Sequence, residues 1–454
     1  MSELTSISPL DGRYCREIKE LAPIFSEGAL IKYRLKIEIE YLTALADESK
    51  IKEVGELTDE DRAALRLIYE KFDETEAAKV KKIEAATNHD VKSVEYYLKE
   101  KIGKVKRLSD CLEFVHFALT SEDINNLAYS LMLKDGLEIY GRNLQKVMKE
   151  LKELALKNKK TALLALTHGQ PASPTTLGKE LAVFYWRLKS QLEDLKKLKL
   201  SGKFSGAVGN WNAHYAAYPK VDWISFSQKF VEALGLEFNP LTTQIEPHDA
   251  AAAVYHNLVR LNNIVKDLNQ DVWLYVSRGI FRQNKIKGEV GSSAMPHKIN
   301  PIYFENSEGN LGLANALLNH LALKLPNSRL QRDLSDSTVI RNQGAALAYG
   351  LLALKSTLKG LFRIEPDQAA ISRELGGHWE LLAEPIQVVL RKAGQPKPYE
   401  ALKELTRGQK ITKAEIQKFI RGLKIDKSAK SELLKLTPAN YIGLAPKLVD
   451  KYIK

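Results

Sequence analysis

At 454 residues, with 44% apolar and 27% charged side chains, the chain is longer than one hydrophobic core usually fills. Its composition is that of a globular protein and excludes a disordered or fibrous one. Two cysteines, Cys15 and Cys111, leave no disulfide framework and no cysteine-built zinc or iron–sulfur site, and a formal net charge of +12 draws anions from a distance.

Nucleic acid is one such anion and a small phosphorylated substrate is another. Zinc-finger spacing, RNP-like aromatic runs and arginine-rich arms are absent, so we expect no nucleic-acid partner. The opening MSELTSISPLDGRY lacks the basic-then-apolar order of a signal peptide, and apolar runs fall short of the roughly 18 residues of a spanning helix. The expectation is a soluble, cytoplasmic chain with no membrane partner.

Residues 8–14, SPLDGRY, read as a loop, because Pro9 and Asp11-Gly12 are turn formers. Leu30, Tyr33, Ile37 and Tyr41 then recur at helical spacing and predict a small helical domain over the first hundred or so residues. Within it, TNHDVKSVEYYLKE (87–100) places His89, Asp90 and Lys92 at a helix start. HFALTSEDINN (116–126) sets Thr120 and Ser121 before a long helix, with Ser121 as its expected cap. Hydroxyls and unpaired N–H groups at such a helix mouth make an anion cradle; purely structural helix starts explain the same residues.

From about 111 to 363 long helices are predicted, over 121–157, 177–195, 249–279, 302–323 and 344–361. The cleanest stripe is Val254, Leu258, Leu261, Val265, Leu268, Val272 and Tyr275; a second runs through Leu177, Leu181, Phe184, Leu188, Leu192 and Leu195. Stripes of this length predict an elongated five-helix bundle, shared between subunits or packed within one chain. Beyond 364 shorter helices return, and the basic tail from 421 to 454 reads as solvated helix faces.

Chemistry belongs where polar residues and glycines interrupt the helices. LTHGQPASPTTLG (166–178) reads as a loop that places His168, a group titrating near neutrality, ahead of a helix capped by Thr175 or Thr176. GEVGSSAMPHKINP (288–301) has too many glycines and prolines for a helix. It offers Ser292 and Ser293 as nucleophiles or bases, His297 and Lys298 as proton and charge donors, and Asn300 as a neutral donor. NPLTTQIEPHD (239–249) carries Gln244 and His248. SRLQRDLSDSTVIRN (328–342) carries Arg329, Arg332, Ser337 and Arg341, whose guanidinium groups suit a phosphate.

GSSAMPHKINP (291–301) resembles the GSSxMPxKxN signature of the fumarase/aspartase superfamily. With SPLDGRY, TNHDVKSVEYYLKEK, HFALTSEDINN, THGQPASPTTLGKE, NPLTTQIEPHD, QRDLSDSTVIRN and LGGHWELLAEPIQ, the likeness to its adenylosuccinate-cleaving branch spans nearly the whole chain. The resemblance implies an all-α, fumarase/aspartase-like fold, with a central long five-helix bundle (111–363) between smaller N-terminal (1–110) and C-terminal (364–454) helical domains. It implies a homotetramer with active sites shared between subunits, no cofactor and no metal. The implied reaction is reversible β-elimination of fumarate from adenylosuccinate and from SAICAR, the succinyl-carboxamide ribotide.

By the same resemblance Ser292 is the general base, His168 the general acid, Glu305 its acidic partner, and Lys298 and Asn300 the holders of the succinyl carboxylates. Physics alone leaves Ser293 as a competitor of Ser292. Thr120, Ser121, Lys92 and Gln244 correspond to residues that hold the succinyl part. Arg13, Tyr14, His89, Asp90, Arg332, Ser337 and Arg341 correspond to the nucleotide-binding set. The rivals are another lyase of the superfamily, such as argininosuccinate lyase or aspartase, whose substrates carry no 5′-phosphate, and a non-enzymatic protein reusing the scaffold.

Overall fold

The computed structural model describes residues 3–285, 288, 294–408 and 411–453. All five expected long helices are present, as Ser121–Lys157, Leu177–Lys197, Asp249–Ser277, Ile302–Lys324 and Gln343–Leu361. The apolar stripes read from the sequence are the buried faces. From Val254 through Val272 and from Leu177 through Leu195 every stripe residue is buried, and only Tyr275 is half-exposed.

The chain divides into two compact units, and each long helix gives one part of its length to each. Unit 1 comprises Met1–Asn143, Gln191–Asn263 and Gly309–Ala353; unit 2 comprises Leu144–Ser190, Ile264–Glu308 and Leu354–Lys454. In unit 1 shorter helices, among them Glu27–Asp47, Asp59–Glu70, Glu74–Thr87 and Asp90–Ile102, accompany the bundle segments. In unit 2 the region beyond residue 380 closes over its own core of Leu382, Ile386, Leu390, Leu402, Ile416, Ile420 and Leu433.

Apolar stripes bring helices together without fixing their register. Polar side chains at seven-residue spacing on the Asp249–Ser277 helix, Tyr255, Asn262 and Asn269, supply that specificity. In unit 1, the Tyr140 hydroxyl donates to Asn262 Oδ1 at 2.6 Å and Asn262 Nδ2 to Asn315 Oδ1 at 2.9 Å. The Tyr255 hydroxyl donates to Gln343 Oε1 at 3.0 Å, and Gln343 Nε2 to the carbonyl of Tyr129 at 3.2 Å. Asn257 Nδ2 donates to the Gln191 carbonyl at 3.2 Å, which ties in the fifth helix. In unit 2, Asn269, Ser307 and Thr357 close a buried triangle with sides of 2.8, 2.8 and 3.1 Å.

Strand structure among the described residues is confined to three two-stranded pieces. One overturns an expectation. Residues 166–178 are not a plain loop: Ala162–Thr167 and Gln170–Thr176 form an antiparallel hairpin, with Thr167 opposite Gln170. Pro171 and Pro174 and a register irregularity between Leu163 and Ala165 hide the strand alternation in the sequence. Gly178, just beyond, is required by packing, since a Cβ there would lie 2.3 Å from the Ala155 carbonyl oxygen. A second pair, Phe281–Gln283 with Ile364–Pro366, is also antiparallel.

The Asn269–Ser307–Thr357 triangle yields a stability prediction. An Asn269→Ala variant takes one hydrogen bond from each of two buried hydroxyls and should lose about 1–3 kcal/mol. Urea unfolding followed by circular dichroism will show the midpoint fall; an unchanged midpoint would mean the triangle contributes no stability.

Candidate active site

The sequence-predicted residues fall into two groups, one in each unit. In unit 1 the Ser121–Lys157 helix starts at Ser121 itself, so Ser121 opens the helix rather than preceding it as a cap. The Thr120 N–H donates instead to Asp123 Oδ2 at 2.9 Å. Asp123 is wholly buried, and its other oxygen accepts from Lys203 Nζ at 2.7 Å, Ser205 N at 2.9 Å and Gly206 N at 3.2 Å. Lys203 is equally buried and also donates to the Gly206 carbonyl at 2.6 Å. This buried ion pair fixes the helix mouth where the half-buried Thr120 and Ser121 stand.

Beside that mouth three predicted residues meet. Arg332 Nη1 donates to Gln244 Oε1 at 3.1 Å and Nη2 to Ser337 Oγ at 3.0 Å. Gln244 is itself held, its Nε2 donating to the Ala207 carbonyl at 2.9 Å. Behind Arg332 lies Glu122, with Oε2 3.9 Å from Nη2. Glu122, His248 and Asp336 are all buried and bring one side-chain atom each within 4.8 Å of one another. Because a guanidinium already stands against this cluster, it reads as carboxylates served by an arginine rather than as a cage for a cation.

A second arginine centre forms around Asp90, which opens the Asp90–Ile102 helix after His89 caps it through Nδ1 to Lys92 N at 3.1 Å. Asp90 Oδ2 accepts from Arg34 Nη2 at 2.6 Å and Arg341 Nη2 at 3.0 Å. Burial works against the charge on Asp90, yet the field and hydrogen bond of Arg34, with help from Arg341, hold its carboxyl down at about 2. Lys92 Nζ is paired with Glu95 at 2.8 Å. Arg13, which is exposed, stacks its guanidinium 5.7 Å from the ring centre of Tyr14.

In unit 2, His168 and Gly169 form the two-residue turn of the hairpin. Both have positive φ, 52° and 71°, the backbone that a tight hairpin turn demands, and His168 stands exposed at its tip. Thr176 caps the following helix, accepting from Lys179 N at 3.2 Å. Glu305 lies in the first turn of the Ile302–Lys324 helix and accepts from Trp273 Nε1 at 3.0 Å. His297 and Lys298 are exposed and Asn300 half-buried, in a stretch without regular structure; Lys298 N donates to the Met295 carbonyl at 3.0 Å, and Gln283 Nε2 holds the Ile299 carbonyl at 2.9 Å. Ser292 and Ser293 lie outside the described residues.

Arg34, Glu38, His116, Asp123 and Lys203 were missed in the sequence. Arg34 and Glu38 had a signal, since both lie on the stripe of Leu30, Ile37 and Tyr41 where an unpaired charge cannot be buried. The fully buried Glu38 clamps His116, one oxygen 2.5 Å from Nδ1 and the other accepting from the His116 N–H at 3.2 Å. His116 has φ of 60° and Ala118 of 58°, so the carboxylate holds a strained turn just before Thr120. Lys203 had no signal, for SGKFSGAVGN reads as an ordinary loop.

Comparison with known proteins gives these sites a context. A family model described as "Lyase" matches residues 12–315, and one described as "Adenylosuccinate lyase C-terminal" matches 328–442. The fold is that of the mostly helical fumarase/aspartase lyases. A 3-carboxy-cis,cis-muconate lactonizing enzyme from Pseudomonas putida superposes with a TM-score of 0.76 at 21% identity over 96% of each chain. A fumarate lyase from Mesorhizobium sp. BNC1 gives the same TM-score at 17% identity, over 96% of this chain and 97% of that one. Among curated proteins, the adenylosuccinate lyase of Legionella pneumophila (strain Corby) is 51% identical over 100% of this chain and 99% of its own length. That of Escherichia coli (strain K12) is 50% identical over 99% of each. The chain belongs to the adenylosuccinate lyase family.

The His116 clamp generates a pH prediction. Burial disfavours the imidazolium, but Glu38 outweighs burial and raises the His116 pKa above its ordinary value. The stabilisation is therefore fully present below the unfolded value of about 6.5 and is lost as pH rises through the higher folded value. Denaturation midpoints of the native chain and Glu38→Gln, measured from pH 6 to 9, should converge as pH rises; a constant gap would show that the clamp does not depend on the imidazolium.

Proposed function

We propose that the chain catalyses the reversible β-elimination of fumarate from adenylosuccinate, giving AMP, and from SAICAR, giving AICAR. The observation that carries this reading is the near 50% identity to adenylosuccinate lyases over essentially the whole chain. Both substrates carry a succinyl group on nitrogen and a phosphate. The clustering of Arg332, Gln244 and Ser337 beside the Thr120–Ser121 helix mouth, and of Arg341 beside Asp90, supports binding of such an anion. Superfamily lyases acting on substrates without a phosphate have less use for these arginines.

Removing a proton from a carbon beside a carboxylate concentrates negative charge on a few atoms, so the site needs a strong base and fixed donors. In the proposed assignment Ser292 takes the proton, Lys298 and Asn300 hold the succinyl carboxylates, and His168 protonates the departing nitrogen with Glu305 as its acidic partner. Exposure of His168 at a hairpin tip and of Lys298 supports groups that meet a substrate rather than the core. Thr120, Ser121, Lys92 and Gln244 bind the succinyl part, and Arg13, Tyr14, His89, Asp90, Arg332, Ser337 and Arg341 the nucleotide.

The proposed working form is a cytoplasmic homotetramer, with sites shared between subunits and domains over 1–110, 111–363 and 364–454. Bundle helices that expose Val183, Trp186, Trp273, Leu274, Leu313 and Leu323 support association along their length. Among the described residues, no helix is long and apolar enough to cross a membrane.

Ultraviolet monitoring of adenylosuccinate cleavage, with fumarate identified as the second product, tests the activity; absence of fumarate would remove it. Ser292→Ala should lower kcat by roughly 100- to 10,000-fold while leaving the assembly intact by sedimentation, and ordinary turnover would exclude Ser292 as the base. Mixing inactive Ser292→Ala and His168→Ala subunits should restore part of the activity if sites cross subunits. No recovery after verified exchange would place each site within one subunit.

A further inference from the structure

Glu122 has no part in the proposed chemistry, yet it is buried directly behind Arg332. Its Oε2 lies 3.9 Å from Arg332 Nη2, whose own hydrogen bond goes to Ser337, while Nη1 is taken by Gln244. On the other side stand His248 and Asp336, and Asp336 Oδ1 is a buried oxygen without a hydrogen-bond partner. Two carboxylates and one histidine thus cluster beside the Arg332 guanidinium. If both carboxylates are charged and the histidine neutral, the group with Arg332 carries a net charge of −1; one added proton brings it to zero.

We propose that Glu122 is a positioning residue for Arg332, and that the proton held among Glu122, His248 and Asp336 decides how much of the Arg332 charge an anionic substrate meets. This rests on the reading of Arg332 as a substrate-binding residue. With the proton in place, Glu122 packs behind the guanidinium without cancelling its charge, and Arg332 stays aimed by Gln244 and Ser337. Once the proton leaves, Glu122 becomes a rival carboxylate at 3.9 Å and weakens the attraction for the substrate.

Burial, rather than the balance of the surrounding charges, favours retention of the proton at neutral pH. Burial is the largest influence on Glu122, and Asp336 and Asp123 add to it; Arg332 and Lys203 oppose them, and the carboxyl is pushed up to about 8. Lys203 is already committed to Asp123. His248 does not offer a competing charge, because burial lowers its pKa against the pull of Glu246, Asp336 and Asp249. Glu246 is occupied in turn, accepting from the His248 N–H at 2.7 Å, Ser201 Oγ at 2.9 Å and Asn239 Nδ2 at 3.1 Å.

The test is steady-state fumarate formation from adenylosuccinate between pH 7 and 9.5 at constant ionic strength, a range in which the substrate phosphate stays dianionic. For the native enzyme KM should climb on the order of tenfold through the alkaline range, with kcat following a separate profile. Glu122→Gln, which cannot release the proton, should lose that climb. An alkaline rise in KM that survives in Glu122→Gln would overturn the proposal. Arg332→Gln separates the two readings. A raised, pH-flat KM supports both; an unchanged KM sinks the substrate role of Arg332 itself; and a raised KM beside a persisting rise in Glu122→Gln sinks only the role of Glu122. Should Glu122→Gln not fold, Asp336→Asn decides: with the neighbouring negative charge gone the rise should begin at lower pH, and an unmoved onset contradicts the proposal.

Discussion

The proposed binding half of the site depends on one wholly buried ion pair, Asp123 with Lys203. Neither charge reaches water, so each must have its hydrogen bonds supplied by protein. Asp123 takes N–H groups from Thr120, Ser205 and Gly206, and Lys203 gives a second bond to the Gly206 carbonyl. A buried pair of this kind adds little net stability, but removing one partner leaves an uncompensated charge. Its value here is geometric. It locks the mouth of the Ser121–Lys157 helix, where Thr120, Ser121 and Glu122 stand, against residues 203–206.

A charged side chain buried against its partner recurs at two further points of unit 1. Arg34 is buried against Asp90 and Asn125, Glu38 is buried against His116, and each pair holds a segment with a proposed binding role. Rigid side chains in a water-poor setting lose little freedom when a ligand arrives, which favours recognition of a small, highly charged molecule. The proposed catalytic groups of unit 2 are placed differently. His168 stands at a hairpin tip, and Lys298 lies in a stretch held by backbone hydrogen bonds rather than by buried charge.

Much of this was legible in the chain itself. Helix limits at 121–157 and the stripe from Val254 to Val272 follow from periodicity, because a long helix buried on one face repeats its apolar residues without regard to what covers them. The irregular stretch 294–301 and the loop at 8–14 were legible for the opposite reason, since glycine and proline exclude helix locally. The hairpin around His168 was not, because two prolines and a bulge erase alternation over strands of six and seven residues. The register polars Asn262 and Asn269 were equally silent; a lone asparagine in a stripe looks like a defect until its partners on other helices are known.

What the sequence determined alone was therefore composition class, helix positions, the breaks between them and, through motifs, the chemistry to look for. The tertiary structure decided which charges are buried and what faces them: that Lys203 neutralises Asp123, that Gln244 and Ser337 aim Arg332, and that Glu122 stands behind it. The physical reason is that helix formation and turn chemistry are governed by neighbours a few positions apart. Desolvation and ion pairing depend on groups separated by tens or hundreds of residues, and only folding brings those within ångströms.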